Sequence, residues 1–154
     1  MPITYVSGDP LLSQAQILAF GHNRKGRTET GTFETTLLNR YPAPFATHRR
    51  KCQKDRIKSG EYWVWRESKP YLMFWVVRES SVSATRLRYV QSCALNIARN
   101  YQLDGYKSIA IAPMGSDLER PEIHKVLETW LSKLSLPIIV YTNYESGVEA
   151  DEGL

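Results

Sequence analysis

The sequence has 154 residues, of which 42% are hydrophobic, and its formal net charge is +4. This length fits one domain with a substantial core, and the composition excludes disorder of the whole chain. No apolar run approaches the length of a membrane span, and the N-terminus lacks a signal-peptide pattern, so we expect a cytoplasmic protein with no membrane partner.

The two cysteines, Cys52 and Cys93, are far apart in the sequence and lack the spacing of metal ligands. The three histidines do not cluster with them. We therefore predict free thiols in a reducing compartment, no metal and no cofactor.

Charge divides the chain unevenly. Residues 145–154 carry four acidic side chains and no Lys or Arg, so the remainder is more basic than the total suggests. A short acidic end of this kind often frays. The sequence predicts a single domain over residues 1–144 and a disordered acidic tail over residues 145–154.

The first half of the chain reads as strand, strand, helix, helix. Residues 3–6 form a short β-prone run that ends in a turn, and residues 16–20 form a second buried strand. A polar loop follows with glycines at 21, 26 and 31. Phe33, Leu37 and Tyr41 then mark one face of a short helix. The basic run at 48–51 indicates either a nucleic-acid patch or a solvated helix face.

The second half alternates strands and helices. Residues 61–66 and 71–77 predict a β-hairpin, and apolar residues at helical spacing predict a long helix over 87–101. A strand over 108–112, a helix from Pro121 and a last strand over 137–141 follow. The predicted fold class is α/β, with three layers: a central mixed, mostly parallel sheet and helices on both faces.

The segment Lys107–Arg120, KSIAIAPMGSDLER, is the strongest candidate for a site. It predicts a buried strand, a loop of small residues and a helix whose first turn holds Pro121. Backbone N–H groups at such a helix start attract anions, above all phosphate. Ligand crevices in open α/β sheets lie at the carboxyl ends of strands. We therefore expect a phosphate-bearing ligand here.

Five stretches together resemble a known family. They are ITYVSGDP, AFGHNRKGRTETG with its helix ending in RYP, LMFWVVRESS, SIAIAPMGSDLER and IIVYTN. In this order and spacing the chain resembles the macrodomain family, in the branch that contains the DarG antitoxins and the terminal ADP-ribose protein glycohydrolase. The resemblance implies binding of ADP-ribose or of an ADP-ribosylated macromolecule.

The resemblance also implies roles for individual residues. Asp9 matches the aspartate that accepts from the adenine amino group, and Tyr141 matches an aromatic that stacks on adenine; a core tyrosine is the alternative. Asn23 matches the asparagine at the distal ribose. The full implied ligand-binding set is Asp9, Pro10, Gly21, His22, Asn23, Gly31, Thr32, Met114, Gly115, Ser116, Asp117, Leu118 and Tyr141.

The sequence departs from the family pattern at two places. In the first loop Glu29 and Thr32 replace part of a glycine cluster, so side chains narrow the diphosphate groove, and Glu29 repels phosphate unless it points away. Val77 stands where the hydrolytic branch has a lysine. A hydrolase would then rely on the remaining candidates, which are Asn23, Arg78, Asp117 and Glu119.

Several functions stay open at this point. One is hydrolysis of ADP-ribose from protein or nucleic acid, with Asp117 or Glu119 as base and Arg78 as an electrostatic helper. Another is a non-catalytic reader or sequestering module. A third is an ADP-ribose 1″-phosphate phosphatase with His22 as acid. A fourth is binding of nucleic acid or another nucleotide, through Arg24, Lys25, Arg27 and the run Arg49, Arg50 and Lys51.

Overall fold

The computed structural model describes residues 3–154 and contains six strands and four helices. The strands are β1 (Thr4–Gly8), β2 (Ile17–Asn23), β3 (Tyr62–Trp65), β4 (Tyr71–Arg78), β5 (Ile109–Ile111) and β6 (Ile138–Tyr144). The helices are α1 (Thr32–Arg40), α2 (Pro42–Gln53), α3 (Leu87–Asn100) and α4 (Arg120–Leu131). A short 3-10 turn at Pro10–Leu12 links β1 to β2.

The strands form one sheet in the order β1-β6-β5-β2-β4-β3. Every neighbouring pair is parallel except β3 and β4, which form the predicted antiparallel hairpin. The carboxyl ends of five strands therefore meet along one edge of the sheet. Each of these strands delivers its following loop to that edge.

Apolar residues cover both faces of the sheet, which is why the central strands read as continuous apolar runs. Helices α3 and α4 pack on one face, where Val90, Ile97 and Leu127 contact the side chains of β2 and β4. Helix α1 packs on the other face through Phe33 and Leu37. The predicted three-layer α/β fold is confirmed.

Element boundaries differ from the sequence prediction at the end of β2. The strand continues through Gly21, His22 and Asn23, which we had expected in a polar loop. Parallel pairing with β4 extends to Arg78, and this tertiary contact overrides the low strand propensity of glycine and asparagine. Both His22 and Asn23 are buried as a result.

The acidic segment 145–154 also differs from its predicted disorder. Glu152 is buried and accepts hydrogen bonds from the Ser13 hydroxyl and the Gln14 N–H, so the segment lies against the domain. Its polarity misled the prediction, because polar side chains also serve as anchors when donors face them. The predicted domain starts at Met1, but Met1 and Pro2 lie outside the described residues.

Both cysteines are buried free thiols. Within residues 3–154, no helix combines the length and apolarity needed to span a bilayer. Over the same range, no group of three or more His, Cys, Asp and Glu side chains has an arrangement suited to a metal ion.

Candidate functional site

A narrow crevice lies at the carboxyl edge of the sheet, where the loop after β5 faces the start of α1 and the end of β4. The two loops singled out in the sequence thus lie on the same side of the molecule. The crevice encloses about 20 Å³. Its lining comprises Phe20, Gly21, Phe33, Glu34, Val77, Arg78, Thr85, Pro113, Met114 and Gly115.

Two glycines let the chain approach itself closely at this edge. A Cβ at Gly115 would lie 2.9 Å from Ile123 Cδ1, and the φ of this residue is +77°. A Cβ at Gly21 would lie 3.0 Å from Met114 Cγ. A larger residue at position 115 would be strained by this φ, and one at position 21 would require the Met114 side chain to shift.

Glu34 lies over Gly31, the last glycine of the first loop. Gly31 precedes the first turn of α1, has a φ of +132° and makes no side-chain cap, and a Cβ there would collide with the Glu34 carboxylate. Helix starts attract anions. The chain therefore places its own carboxylate beside the position where the sequence predicts a ligand phosphate.

Glu29 is buried and is not among the residues that line the crevice. Its carboxylate forms an ion pair with the Arg78 guanidinium and accepts from the Asn23 side-chain amide at 2.9 Å. Burial raises the pKa of Glu29, although the bond from Asn23 and the charge of Arg78 act against this. The repulsion of phosphate that the sequence raised as a concern is thereby reduced.

Asn23 and Arg78, two of the predicted catalytic residues, are engaged in this buried group. Asn23 is fully buried, its amide also donates to the Arg27 carbonyl, and its oxygen accepts from the Arg27 N–H. A direct contact between Asn23 and a ribose would require the loop to open. Arg78 still lines the crevice, and its Nε is buried without a partner.

The acids after β5 have separate surroundings. Asp117 is 92% exposed and pairs with Arg120 at 2.7 Å. Glu119 accepts from the Ser116 N–H at 2.8 Å and from the Thr85 N–H at 3.0 Å. Its carboxylate thus joins the loop after β5 to the loop after β4. Leu118 is exposed to solvent, and Met114 is buried.

The predicted adenine residues lie at the far end of the same edge. Asp9 is 6% exposed, and its carboxylate accepts from the N–H groups of Leu11 and Gly147 at 2.9 Å each. Tyr141 is 1% exposed, and its hydroxyl donates to Glu152 at 2.8 Å. The acidic segment therefore contacts both residues, and stacking of Tyr141 on a base would require this segment to move.

No sequence profile of a protein family matches the chain, and no curated protein matches it. Several solved structures, however, are similar to this chain. The macrodomain of Thermus aquaticus DarG superposes with a TM-score of 0.81 at 20% identity, over 90% of this chain and 97% of that chain. Thermosipho africanus DarTG in complex with ADP-ribose gives 0.84 at 18% identity, over 99% of this chain and 44% of that chain. The macrodomain of Mycobacterium tuberculosis DarG gives 0.74 at 19% identity, over 90% and 96%.

The chain has the macrodomain fold. The likeness covers the whole sheet, so the crevice described above lies at the strand ends of a complete macrodomain. Asp9, Gly31 and Gly115 all lie at that edge, as the resemblance in sequence implied. Their contacts with a ligand stay predictions.

Three residues that shape this macrodomain site were missed in the sequence. Glu34 and Thr85 were not singled out in the sequence, and Glu152 was assigned to a disordered tail. For Glu34 a signal existed, since an acid in the first turn of a helix lies beside its N-terminal N–H groups. Thr85 and Glu152 act through partners distant in sequence, so no local pattern marks them.

His22 does not reach the crevice as a free acid. It is buried against Phe45 and Phe74, and its ring lies 4.9 Å from that of His48. Its Nδ1 accepts from the Asn23 N–H, and burial lowers the pKa of His22 to about 4. At neutral pH the imidazole is uncharged, which argues against the phosphatase alternative.

A basic cavity lies next to the crevice, on the side of α2. It has a volume of about 470 Å³. Its lining comprises Arg24, Lys25, Arg27, Arg49, Cys52, Gln53, Asp55 and Glu79. The cavity collects most of the cations that the sequence marked for nucleic acid, while Arg50 and Lys51 lie outside it. Among the cations inside the cavity, Arg24 forms an ion pair with Asp55, with 3.3 Å between Nη2 and Oδ1.

Proposed function

We propose that this macrodomain binds ADP-ribose, free or attached to a macromolecule, along the carboxyl edge of its sheet. The observation that carries the proposal is the meeting of two glycine-containing loops beside the start of α1, with Asp9 farther along the same edge. The presence of ADP-ribose in the complex of the similar DarTG protein supports the same ligand class.

The chemistry of the edge suits the parts of this ligand. The Asp9 carboxylate is an acceptor for the amino group of adenine. The start of α1 at Gly31 and the loop residue Gly115 offer backbone N–H groups to the diphosphate, whereas the Ser116 N–H is already bonded to Glu119. Arg78 lines the crevice between them, and its guanidinium can pair with a phosphate or ribose oxygen once the crevice widens.

Ligand entry requires the crevice to widen. Its volume of about 20 Å³ is far below the roughly 300 Å³ or more of a typical small-molecule site. Glu34 and Arg78 are long side chains that are only partly buried. Rotation of Glu34, and of Arg78 after its ion pair with Glu29 breaks, would widen the crevice without movement of the sheet.

The geometry favours binding over hydrolysis. Neither of the acids proposed as a base is available: Asp117 points to solvent and is paired with Arg120, and both Glu119 oxygens accept backbone N–H groups. Asn23 is bonded within its own loop. A reader or sequestering module is therefore the function that this arrangement supports best.

The basic cavity favours a nucleic acid as the carrier of the ADP-ribose group. Arg24, Lys25, Arg27 and Arg49 line a space that adjoins the crevice through the loop after β2. Cations so arranged neutralise backbone phosphates without reading the sequence.

Replacing Asp9 tests the adenine contact. We expect Asp9→Ala to weaken ADP-ribose binding at least about tenfold, or 1.4 kcal/mol, because the acceptor for the amino group is lost. Isothermal titration calorimetry of wild type and variant measures this. Asp104→Asn, an exposed change of the same charge away from the edge, is the control. Absence of any binding by wild type would reject the proposed function.

Incubation with ADP-ribosylated DNA and protein separates a reader from a hydrolase. A reader retains the modified molecule and releases no ADP-ribose over hours. Release by wild type would reject the reader. Release that persists in the Asp117→Ala, Glu119→Ala double variant would also exclude both acids as the base.

A further inference from the structure

The acidic segment 145–154 crosses the adenine end of the site and pairs with the backbone there. The Glu145 N–H donates to the Gly8 carbonyl at 2.9 Å, and the Asp9 N–H donates to the Val148 carbonyl at 2.7 Å. The Gly147 N–H donates to Asp9 Oδ2 at 2.9 Å. Both the amide and the carboxylate of Asp9 are thus occupied by consecutive residues of one short segment.

This pair of bonds has the same chemistry as the edge of an adenine base. Adenine presents an amino donor beside a ring-nitrogen acceptor. Gly147 and Val148 present an N–H donor beside a carbonyl acceptor, and Asp9 meets them with one acceptor and one donor. Ala150 follows in the apolar cluster that contains Leu11 and Tyr41. Like an adenine base, the segment therefore presents a polar edge to Asp9 and also contributes an apolar group.

Glu152 anchors the segment. Its buried carboxylate accepts from the Ser13 hydroxyl at 2.6 Å, the Gln14 N–H at 2.8 Å and the Tyr141 hydroxyl at 2.8 Å. Burial and the bond to Glu152 raise the pKa of Tyr141, so this hydroxyl stays a donor. Three donors on one carboxylate form a strong but reversible clasp.

The anchor is flanked by flexible positions. Gly147 and Gly153 have φ values of +75° and +69°, and no atom lies within 4 Å of a Cβ built at either residue. Glycines in open space let the segment swing away without a collision.

We infer that the segment Gly147 to Glu152 is an internal substitute for the adenine edge, and that an adenine ligand binds only after displacing it. The inference rests on the proposed function of this edge. The macrodomain then has a closed state, in which the segment covers Asp9, and an open state that binds adenine. The apparent affinity for adenine ligands is reduced in proportion to the fraction of molecules that are open.

Three proteins test the inference: wild type, a chain that ends after Tyr144, and Glu152→Gln, which weakens the clasp while keeping the segment. Glu149→Gln is the matched control, since this exposed acid loses the same charge without touching the clasp. Calorimetry measures binding of ADP-ribose, AMP and ribose 5-phosphate. Hydrogen exchange measures the exchange rates of the backbone amides of Asp9 and Gly147.

We expect ADP-ribose and AMP to bind at least about tenfold more tightly to the shortened chain and severalfold more tightly to Glu152→Gln. Glu149→Gln and the binding of ribose 5-phosphate should not change. In wild type, adding AMP should speed exchange of the Gly147 amide. If the shortened chain does not fold, the Glu152→Gln result decides.

Equal or weaker binding of AMP after the segment is removed or loosened overturns the inference and leaves the proposed function intact. An equal gain for ribose 5-phosphate also overturns it, because the effect would then be one of charge. If no protein binds ADP-ribose or AMP, the proposed function itself fails, and this result is distinct from the other two.

Discussion

Two glutamates from the same stretch, Glu29 and Glu34, have opposite environments. Glu29 is buried and paired with Arg78, whereas Glu34 is partly exposed and lines the crevice. The difference follows from their elements. Glu29 precedes the glycine that starts α1 and turns toward β4, while Glu34 belongs to the first turn of the helix. At this scale, one carboxylate supports the site, and we expect the other to compete with the proposed ligand.

Glu34→Gln should tighten ADP-ribose binding. Removing one negative charge beside the diphosphate relieves a repulsion on the order of 1 kcal/mol, or about fivefold in Kd. The variant should be slightly less stable, by about 0.5 kcal/mol, since an acid in the first turn favours the helix. Calorimetry and urea unfolding measure the two effects.

Glu122→Gln is the matched control for this prediction. Glu122 is also an acid in the first turn of a helix, α4, but it does not line the crevice. It should lose a similar amount of stability and keep wild-type affinity. Unchanged or weaker affinity in Glu34→Gln would contradict the placement of Glu34 beside the ligand phosphate.

One side chain connects two of the loops at the crevice. Glu119 lies just before α4 and bonds both to Ser116 in its own loop and to Thr85 in the loop before α3. Gly115 packs directly against this carboxylate. The two loops therefore share the support of the Glu119 carboxylate.

Glu119→Ala should loosen both loops. Two backbone N–H groups lose a charged acceptor, so we expect the free energy of unfolding to fall by roughly 2 kcal/mol. Faster hydrogen exchange of the Thr85 and Ser116 amides would locate the effect. Asp117→Ala, at an exposed neighbour, should change stability by less than about 0.5 kcal/mol. Equal stability losses in the two variants would refute this role.

At the scale of the whole molecule, two buried histidines, His22 of β2 and His48 of α2, lie side by side where α2 packs on the sheet. His48 is fully buried, stacks on Phe74 at 4.4 Å and lies beside His22. Burial, with a smaller contribution from the neighbouring His22, lowers the pKa of His48 to about 3. The charge of Arg78 also opposes protonation of His22, and the Cys52 thiol, whose pKa burial raises to about 11, stays neutral.

This pair predicts a loss of stability in acid. Both folded-state pKa values lie below the value of about 6.5 in the unfolded chain, so the unfolded state takes up protons first as pH falls. The stabilisation is complete above pH 6.5 and declines toward pH 4. His48→Phe should reduce this decline by roughly 2 kcal/mol between pH 6.5 and 4.5.

Urea unfolding across this range measures the difference between the two proteins. Glu29 contributes with the opposite sign, because its raised pKa favours the folded state as it protonates. It is unchanged in His48→Phe, so the comparison isolates the histidine. Parallel pH profiles for wild type and variant would show that the imidazole does not carry the effect.

The periodicity of apolar residues predicted the architecture because it reflects constraints that act within each strand or helix. Apolar runs marked β2, β4, β5 and β6, and helical spacing marked α3 and α4. Strand and helix alternation then leaves few topologies, and the parallel sheet with its ligand edge is among them. The loop after β5 was located for the same reason, since proline and glycine punctuate it.

The environments of the site residues could not be predicted in the same way. Asn23, Arg78 and Glu119 became catalytic candidates through the family resemblance, yet each has partners within the protein. Those partners lie on other elements, and local sequence carries no record of them. The acidic segment shows the same limit, because its anchor at Glu152 needs Ser13 and Tyr141.

By itself the sequence determined the order of strands and helices and the parallel edge where their loops meet. Only the tertiary structure decided which polar groups at that edge are free. The physical reason is that backbone preference is set within a few residues, whereas the state of a carboxylate or an amide depends on whatever folding brings against it. In this macrodomain, folding brings a segment of the chain itself against Asp9.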